Sequence, residues 1–488
     1  MSDPTLVTFV VYFIFLLGIG FYFYRRSVSI EDYLLGGRGM GAWVTALSAQ
    51  ASDMSGWLLM ALPGAIYLGG VGEIWIAIGL FVGTVLNWTL VSARLRVYTQ
   101  KTNTITLPSF FEQRFGDRTG LLRVVSAVII LIFFTIYASS GLVATGKLFE
   151  SIFDNVEYKQ AVIIGGGVII AYTFLGGFLA VCWTDLFQGT LMVLALVIVP
   201  ALAYLSVGGI DQISQAMTNI QKSIIPEGEQ PGVLLIISAM AWGLGYFGQP
   251  HILTRFMSIK SVGKLSESMA IAIIWVFISL AGAVAVGLIG IGMFDNLTGG
   301  EEEKVFIRMI DKLFNPWVGG IMLAAILSAI MSTVDSQLLV SSSALTEDFY
   351  QKAIKKDASE KEIILVGRIC VIIISAIALV LALSPNDTIL GIVAYAWGGF
   401  GAAFGPVVLF GLFSRRTSWQ AALAGMVTGT VVLVVWKLTK LDAYMYEIVP
   451  GFICNCLTIF LVNAFIRQKN ERVLRQYEEV AKVIATGE

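Results

Sequence analysis

Apolar residues run along this chain in blocks of about twenty, separated by short polar stretches, from near the first residue almost to the last. Blocks of that length are too long for strands and match the thickness of a bilayer crossed by a helix. Thirteen are predicted, at 5–24, 42–67, 73–97, 122–146, 160–180, 186–207, 232–256, 268–292, 316–346, 363–383, 388–412, 418–436 and 446–466. The pattern predicts an all-α integral membrane protein. Two blocks are interrupted. One contains Ala51-Ser-Asp-Met-Ser-Gly-Trp57 and then Pro63-Gly64; the other contains Ala241-Trp-Gly-Leu-Gly-Tyr-Phe-Gly-Gln-Pro-His251. Gly243, Gly245, Gly248 and Pro250 are poor helix material. Backbone freed at membrane depth must be buried in protein or line a wet cavity, because lipid cannot satisfy it. Two broken segments in corresponding halves of a chain point to the binding site of a secondary transporter.

Charge sets the orientation. With the N-terminus outside, 24 of the 32 Lys and Arg residues fall in inner loops or the tail, from Arg25 and Arg26 to Lys482. That bias supports thirteen spans with the N-terminus outside and the C-terminus inside. Residues 1–466 then form one transmembrane domain, and 467–488 a short helical cytoplasmic tail. Outer loops at 208–231 and 293–315 are expected to carry short amphipathic helices, with 301–304 as a solvated face. Composition agrees: 57% hydrophobic and 13% charged, against about 25% charged in soluble domains. The net charge of -1 says nothing about partners, and no basic block suggests nucleic acid, so no nucleic-acid partner is expected. The first block is too long for a signal peptide. Cys182, Cys370, Cys454 and Cys456 read as buried free thiols rather than metal ligands.

Three constellations carry chemistry. Gly243-x-Gly245-x-x-Gly248 has the letters of a dinucleotide fingerprint but lacks the strand and βαβ unit it needs. Close helix packing would explain the glycines. It does not explain Trp242, Tyr246, Gln249 and Pro250 among them, and aromatic faces beside exposed backbone suit a small zwitterion. In the ninth block Ala329, Ser332 and Thr333 share one helix face. Their oxygens could converge on a monovalent cation, although from spacing alone two hydroxyls bonded back to the preceding turn is the simpler reading. Asp53, Asp185 and Asp335 lie in or at the ends of blocks, all toward the cytoplasmic side. A carboxylate at mid-membrane costs roughly 2.5–3.5 kcal/mol, so such residues are functional by default. Asp185, at a block boundary, best fits a simple interfacial ion pair. His251, the only histidine, reads as an interfacial histidine satisfied by its neighbours. No metal cluster or nucleophile–base pair suggests an enzyme.

Five stretches carry a resemblance: Asp32-Tyr-Leu-Leu-Gly-Gly-Arg38, Leu47 to Met60, Trp183-Thr-Asp185, Trp242 to Leu253, and Met331-Ser-Thr333. On these the chain resembles the sodium/solute symporter family over nearly its whole length, and within it the proline-transporting bacterial members. The resemblance implies a LeuT-type five-plus-five inverted repeat over about 42–207 and 232–412, with broken helices 2 and 7. It implies alternating access that couples Na+ entry to L-proline uptake, with no cofactor and no obligate protein partner beyond the surrounding lipid. The alternative is another small solute: a monocarboxylate, pantothenate or a sugar. The implied sodium site is the backbone of Ala51 and Met54 with Ala329, Ser332 and Thr333. The implied proline site is Ser55, Gly56, Trp57, Tyr137, Trp242, Tyr246 and Pro250. Asp53 is implied in sodium coupling and Asp185 in cation passage. At Asp335 the chain departs from the family pattern, in which enteric proline symporters carry a small hydroxyl residue. Asp185, Asp335 and Ser336 are therefore candidates for a second site, binding sodium or a proton.

Overall fold

The computed structural model describes residues 3–24, 29–153, 156–175, 177–226, 228, 230–355, 357–385 and 387–486. Helices dominate: α1 (Asp3–Tyr24), α2 (Ala42–Ala51), α3 (Leu62–Gly69), α4 (Ile74–Leu86), α5 (Leu121–Ile152), α6 (Tyr158–Leu175), α7 (Phe178–Val207), α8 (Gly232–Met240), α9 (Pro250–Ser258), α10 (Leu265–Met293), α11 (Pro316–Ser343), α12 (Glu360–Ala382), α13 (Ile389–Phe413), α14 (Trp419–Leu438), α15 (Ile448–Phe465) and α16 (Glu471–Thr486). Among the described residues ten helical stretches are long and apolar enough to cross a membrane, or eleven if one bent pair counts as a span. The thirteen expected blocks do not map one to one onto these. The second and third blocks meet in one stretch, Trp57–Lys101, interrupted only where Gly70 turns into the left-handed region at φ 71°. The fifth is apolar only over Tyr158–Ala171.

The core is built around α11. Every residue from Met322 to Ser343 is buried, because α5, α7, α1 and α12 pack around it. A helix enclosed on all sides need not be amphipathic, and α11 keeps Ser328, Ser332, Thr333, Asp335, Ser336 and Gln337 inside the protein.

Both interruptions have local causes. After α2 the backbone leaves the helix at 52–56 and re-enters through a wide π turn, Trp57–Ala61, just ahead of Pro63. Proline lacks an N–H and crowds the preceding turn, and a π bulge relieves that crowding. In the seventh block, Ala241–Gly248 is a 3-10 helix, and the break falls at Gln249 (φ -77°, ψ 109°). A residue before proline is driven to extended geometry, and Pro250 then opens α9 at a position that needs no N–H. The bend is 45°.

The glycines of this segment serve packing. In a 3-10 helix side chains three apart share a face. Gly245 and Gly248 present such a face to α13, where a Cβ would collide with the Trp397 indole and the Phe400 carbonyl respectively. Gly243 lies against Gly79 and Gly83 of α4.

Several expectations need correction. The turn expected at 181–185 falls instead near Gly177, the N-cap of α7, so Asp185 is two turns inside a helix. Residues 301–304 are not a solvated face: Glu302 and Glu303 are buried, and Glu303 pairs with Lys147 and accepts the Ile389 N–H. Of the cysteines only Cys182 is buried; Cys370, Cys454 and Cys456 are half-buried, and all four are free. The loops at 208–231 and 293–315 do carry short helices, Ile210–Ala216, Asn219–Lys222 and Val305–Leu313. The tail helix α16 buries Val473 and Val480 and bonds through Glu479 to Lys101 and Glu478 to Arg415.

Overpacking a tight interface costs about 1–3 kcal/mol. Gly245→Val should therefore lower the thermal unfolding midpoint of the detergent-solubilised protein, whereas Gly167→Ala, with open space at its Cβ, should not. Equal midpoints for the two variants would contradict the packing role.

Candidate functional site

The first break releases carbonyls from α2, and neighbouring helices receive them. Ser332 Oγ donates to Ala51 O at 2.7 Å and to Ala329 O at 3.1 Å; Thr333 Oγ1 reaches the same two carbonyls at 3.3 and 3.1 Å. Four oxygens from α2 and α11 thus meet at one point, fully enclosed. The turn-directed hydroxyl bonds favoured by spacing are present, to Ala329 O, and both hydroxyls also bridge to the broken helix. Met54, the fifth expected residue, lies in the break with its N–H on Gln50 O at 2.9 Å.

Asp53, one residue before Met54, is the hub. Its carbonyl accepts from Trp57 Nε1 at 3.0 Å and Tyr137 Oη at 3.4 Å. Its carboxylate accepts from Tyr246 Oη at 2.7 Å. Residues of the first break, α5 and the second break are thereby joined through one aspartate. Oδ1 of Asp53 has no hydrogen-bond partner among the described residues.

All seven expected proline-site residues are buried, but they do not form one ring. Ser55, Trp57, Tyr137 and Tyr246 gather around Asp53. Ser55 Oγ accepts the Trp57 N–H at 3.3 Å. Gly56 faces α5 and α11, where a Cβ would lie 2.8 Å from Ala144 Cβ. The Trp242 ring packs on Tyr446 (5.4 Å between centroids), while Tyr246 meets Trp397 edge-on at 4.9 Å. Trp397 links the two: its Nε1 donates to Trp242 O at 2.8 Å and its carbonyl accepts from Gln249 Nε2 at 3.2 Å. Pro250 stands at the break, its carbonyl bonded by Thr254 Oγ1 at 2.6 Å. Trp397 was missed because nothing in its sequence surroundings marks it; its role follows from the missing side chain of Gly245.

The second cluster is also enclosed, and it already contains a cation. Arg255, one turn beyond His251 on α9, donates to Asp185 Oδ2 at 3.3 Å, Ser336 Oγ at 2.5 Å, Ser48 Oγ at 3.0 Å and His251 O at 3.0 Å. Ser48 Oγ donates in turn to Asp185 Oδ2 at 2.7 Å. The guanidinium therefore occupies the space between Asp185 and Ser336. Asp335 is bonded separately, by Thr173 Oγ1. Of the expected trio, Asp185 and Ser336 are brought together by Arg255, and Asp335 is not joined to them by a hydrogen bond. Hydropathy ends the seventh block near 256 and so places Arg255 at its edge, whereas the structure buries it; a charge inside an apolar run was the available signal. His251 is not a satisfied interfacial residue. It is fully buried beside Phe134 and Tyr137, and neither ring nitrogen has a hydrogen-bond partner among the described residues.

Removing one partner of a buried ion pair leaves an uncompensated charge, at a cost of about 3–5 kcal/mol. Arg255→Gln should lower the thermal unfolding midpoint strongly, and Arg255→Gln/Asp185→Asn should recover most of the loss. A double variant no more stable than the single one would remove the pair from the account.

Comparison with known proteins follows from this geometry. Residues 33–429 match the model of the sodium:solute symporter family. The sodium/proline symporter of Salmonella typhimurium is 50% identical over 471 residues, covering 94% of this chain and 93% of that protein. The high-affinity proline transporter PutP of Bacillus subtilis is 46% identical, with 95% and 98% covered. A solved structure of a Na+-coupled sialic acid symporter, substrate-bound and outward-open, superposes with a TM-score of 0.80 at 17% identity, covering 96% of this chain and 99% of that one. At that identity the likeness shows the fold, a LeuT-type transporter bundle, and no more. By fold, family model and full-length relatives together, this chain belongs to the sodium:solute symporter family.

Proposed function

We propose that the protein is an electrogenic Na+/L-proline symporter of the plasma (bacterial inner) membrane. The observation that carries the cation half is the meeting of Ala51 O, Ala329 O, Ser332 Oγ and Thr333 Oγ1 at the first break. Hard cations are held by oxygens. Both hydroxyls turn their protons away when sodium enters, so that four lone pairs face one ion; the Met54 carbonyl is the fifth ligand. The substrate half is supported by the relatives' names, proline transporters at 46–50% identity over nearly full length, and by the Tyr246, Tyr137 and Trp57 group around Asp53.

Coupling follows from adjacency. Sodium at Ala51 fixes the start of a break whose next residues hold Tyr246 and Tyr137 through Asp53. Two ligands that stabilise one arrangement bind with positive cooperativity, each raising the affinity for the other by the same factor. Proline then binds against Tyr246 and Trp57, with Trp242 and Pro250 completing the second-break side. We further assign the two broken halves, 42–207 and 232–412, to inverted repeats, and place the N-terminus outside and the C-terminus inside. In this reading no cofactor and no obligate protein partner takes part. Asp335 and Asp185 serve cation passage, with the Arg255 guanidinium as the fixed charge between Asp185 and Ser336.

One net charge moving down 100 mV supplies about 2.3 kcal/mol, and 1.4 kcal/mol is a factor of ten. Proteoliposomes with a valinomycin potential of that size should accumulate labelled L-proline about 40-fold before any sodium gradient is added. Ser332→Ala/Thr333→Ala should raise the sodium concentration for half-maximal uptake by roughly tenfold or more. Uptake in the parent that ignores sodium would sink the cation assignment. Uptake of a different solute would sink only the substrate.

A further inference from the structure

Away from the transport site, at one end of the bundle, a cavity of about 650 Å³ opens where α14, the end of α15 and the turn before α5 meet. Its lining contains Arg118, Arg467 and Lys469 and no carboxylate. None of these three cations forms an ion pair among the described residues, although their neighbours do. Arg415 is paired with Glu478, Lys101 with Glu479, and Arg475 with Glu471. The nearest acid in the turn, Asp117, is buried and already accepts from Thr119 N–H and Oγ1 and from Leu122 N–H. The walls therefore carry three exposed cations, and no carboxylate among the described residues pairs with them.

Two further features point the same way. Ser418 and Trp419, the N-cap and first residue of the twenty-residue helix α14, line the cavity. A helix N-terminus presents unpaired N–H groups and the positive end of its dipole. On the other side lies an apolar track: Leu457, Phe460, Leu461 and Phe465 of α15 are 54–88% exposed. Their spacing places them along one face of the helix, leading to the cavity through Phe465. The cations and the helix N-terminus thus share one lining, which the apolar track joins at Phe465.

We infer that this cavity binds the phosphodiester headgroup of an anionic bilayer phospholipid, with an acyl chain along the exposed face of α15. Basic pockets at the membrane boundary are suited to such headgroups, and the apolar track favours a lipid over a free phosphate. The site also sits at the root of the tail. Gln468, in its wall, donates from its backbone N–H to Arg416 O at 3.0 Å and from Nε2 to Phe115 O at 2.7 Å. A bound headgroup would hold the end of α15, the start of α14 and the turn before α5 as one unit. This inference does not depend on the transported solute or on which face of the membrane the tail occupies.

The test is native mass spectrometry of the full-length protein, delipidated and titrated with dioctanoyl phosphatidylglycerol or dioctanoyl phosphatidylcholine. The parent should retain one phosphatidylglycerol at concentrations on the order of tenfold below those needed for phosphatidylcholine. Arg118→Gln/Arg467→Gln/Lys469→Gln should lose this preference, each single variant should weaken it, and Lys260→Gln/Lys361→Gln, exposed cations elsewhere, should keep it. Retention by the triple variant equal to the parent's would overturn the assignment. So would displacement of the lipid by millimolar inorganic phosphate, which would make the cavity a site for a free anion.

Discussion

The rest of this structure depends on one constraint: a helix opened inside a membrane must have its backbone satisfied by other protein groups. The break at 52–56 frees carbonyls in a place where lipid offers no donors. α11 answers with two hydroxyls, α5 with a phenol, and the 3-10 segment with another phenol through Asp53. Each of these donors has to be buried. The polar interior of α11, enclosed by four neighbours, is the structural consequence. A transporter core of this kind is therefore a set of helices sorted by what they must supply to an opening in one of them.

The same constraint explains why glycine and aromatic residues alternate in the second broken segment. Gly243, Gly245 and Gly248 let α4 and α13 approach the 3-10 backbone closely. That approach brings Trp397 near enough to bond the carbonyl of Trp242 and to pack edge-on against Tyr246. Packing and binding were rival readings of the glycines, and the structure shows the packing. The close approach positions the aromatic and hydroxyl groups that face the first break.

Much of this was legible in the residues themselves. Hydropathy located the helices, and Gly, Pro and Asp inside apolar runs located both breaks. The i, i+3, i+4 spacing of Ala329, Ser332 and Thr333 placed three oxygens on one face, and the structure adds the carbonyl that they meet. What stayed hidden had physical reasons. The turn near Gly177 is marked only by two glycines in an apolar context, so hydropathy put it about six residues too late and left Asp185 at a boundary. Arg255 was hidden by the same averaging, since a lone charge near the end of a block resembles an interfacial one. Trp397 and Glu303 depend on contacts about 150 residues or more away in sequence, through Trp242 and Lys147, and no local pattern encodes those.

The 3-10 form of Ala241–Gly248 also has a geometric meaning. Eight residues rising about 2.0 Å each span roughly 16 Å, whereas the same eight in an α-helix, rising 1.5 Å each, span about 12 Å. The segment is thus drawn out by about 4 Å relative to its relaxed length, between α8 on one side and the proline-headed α9 on the other. A change of hydrogen-bond register in this stretch alone would shift α9 by about 4 Å along the axis of the segment that leads into it. Because α9 carries Arg255, that travel would move a fixed positive charge relative to Asp185 and Ser336. The stretch is in effect a length reservoir wired to a charge.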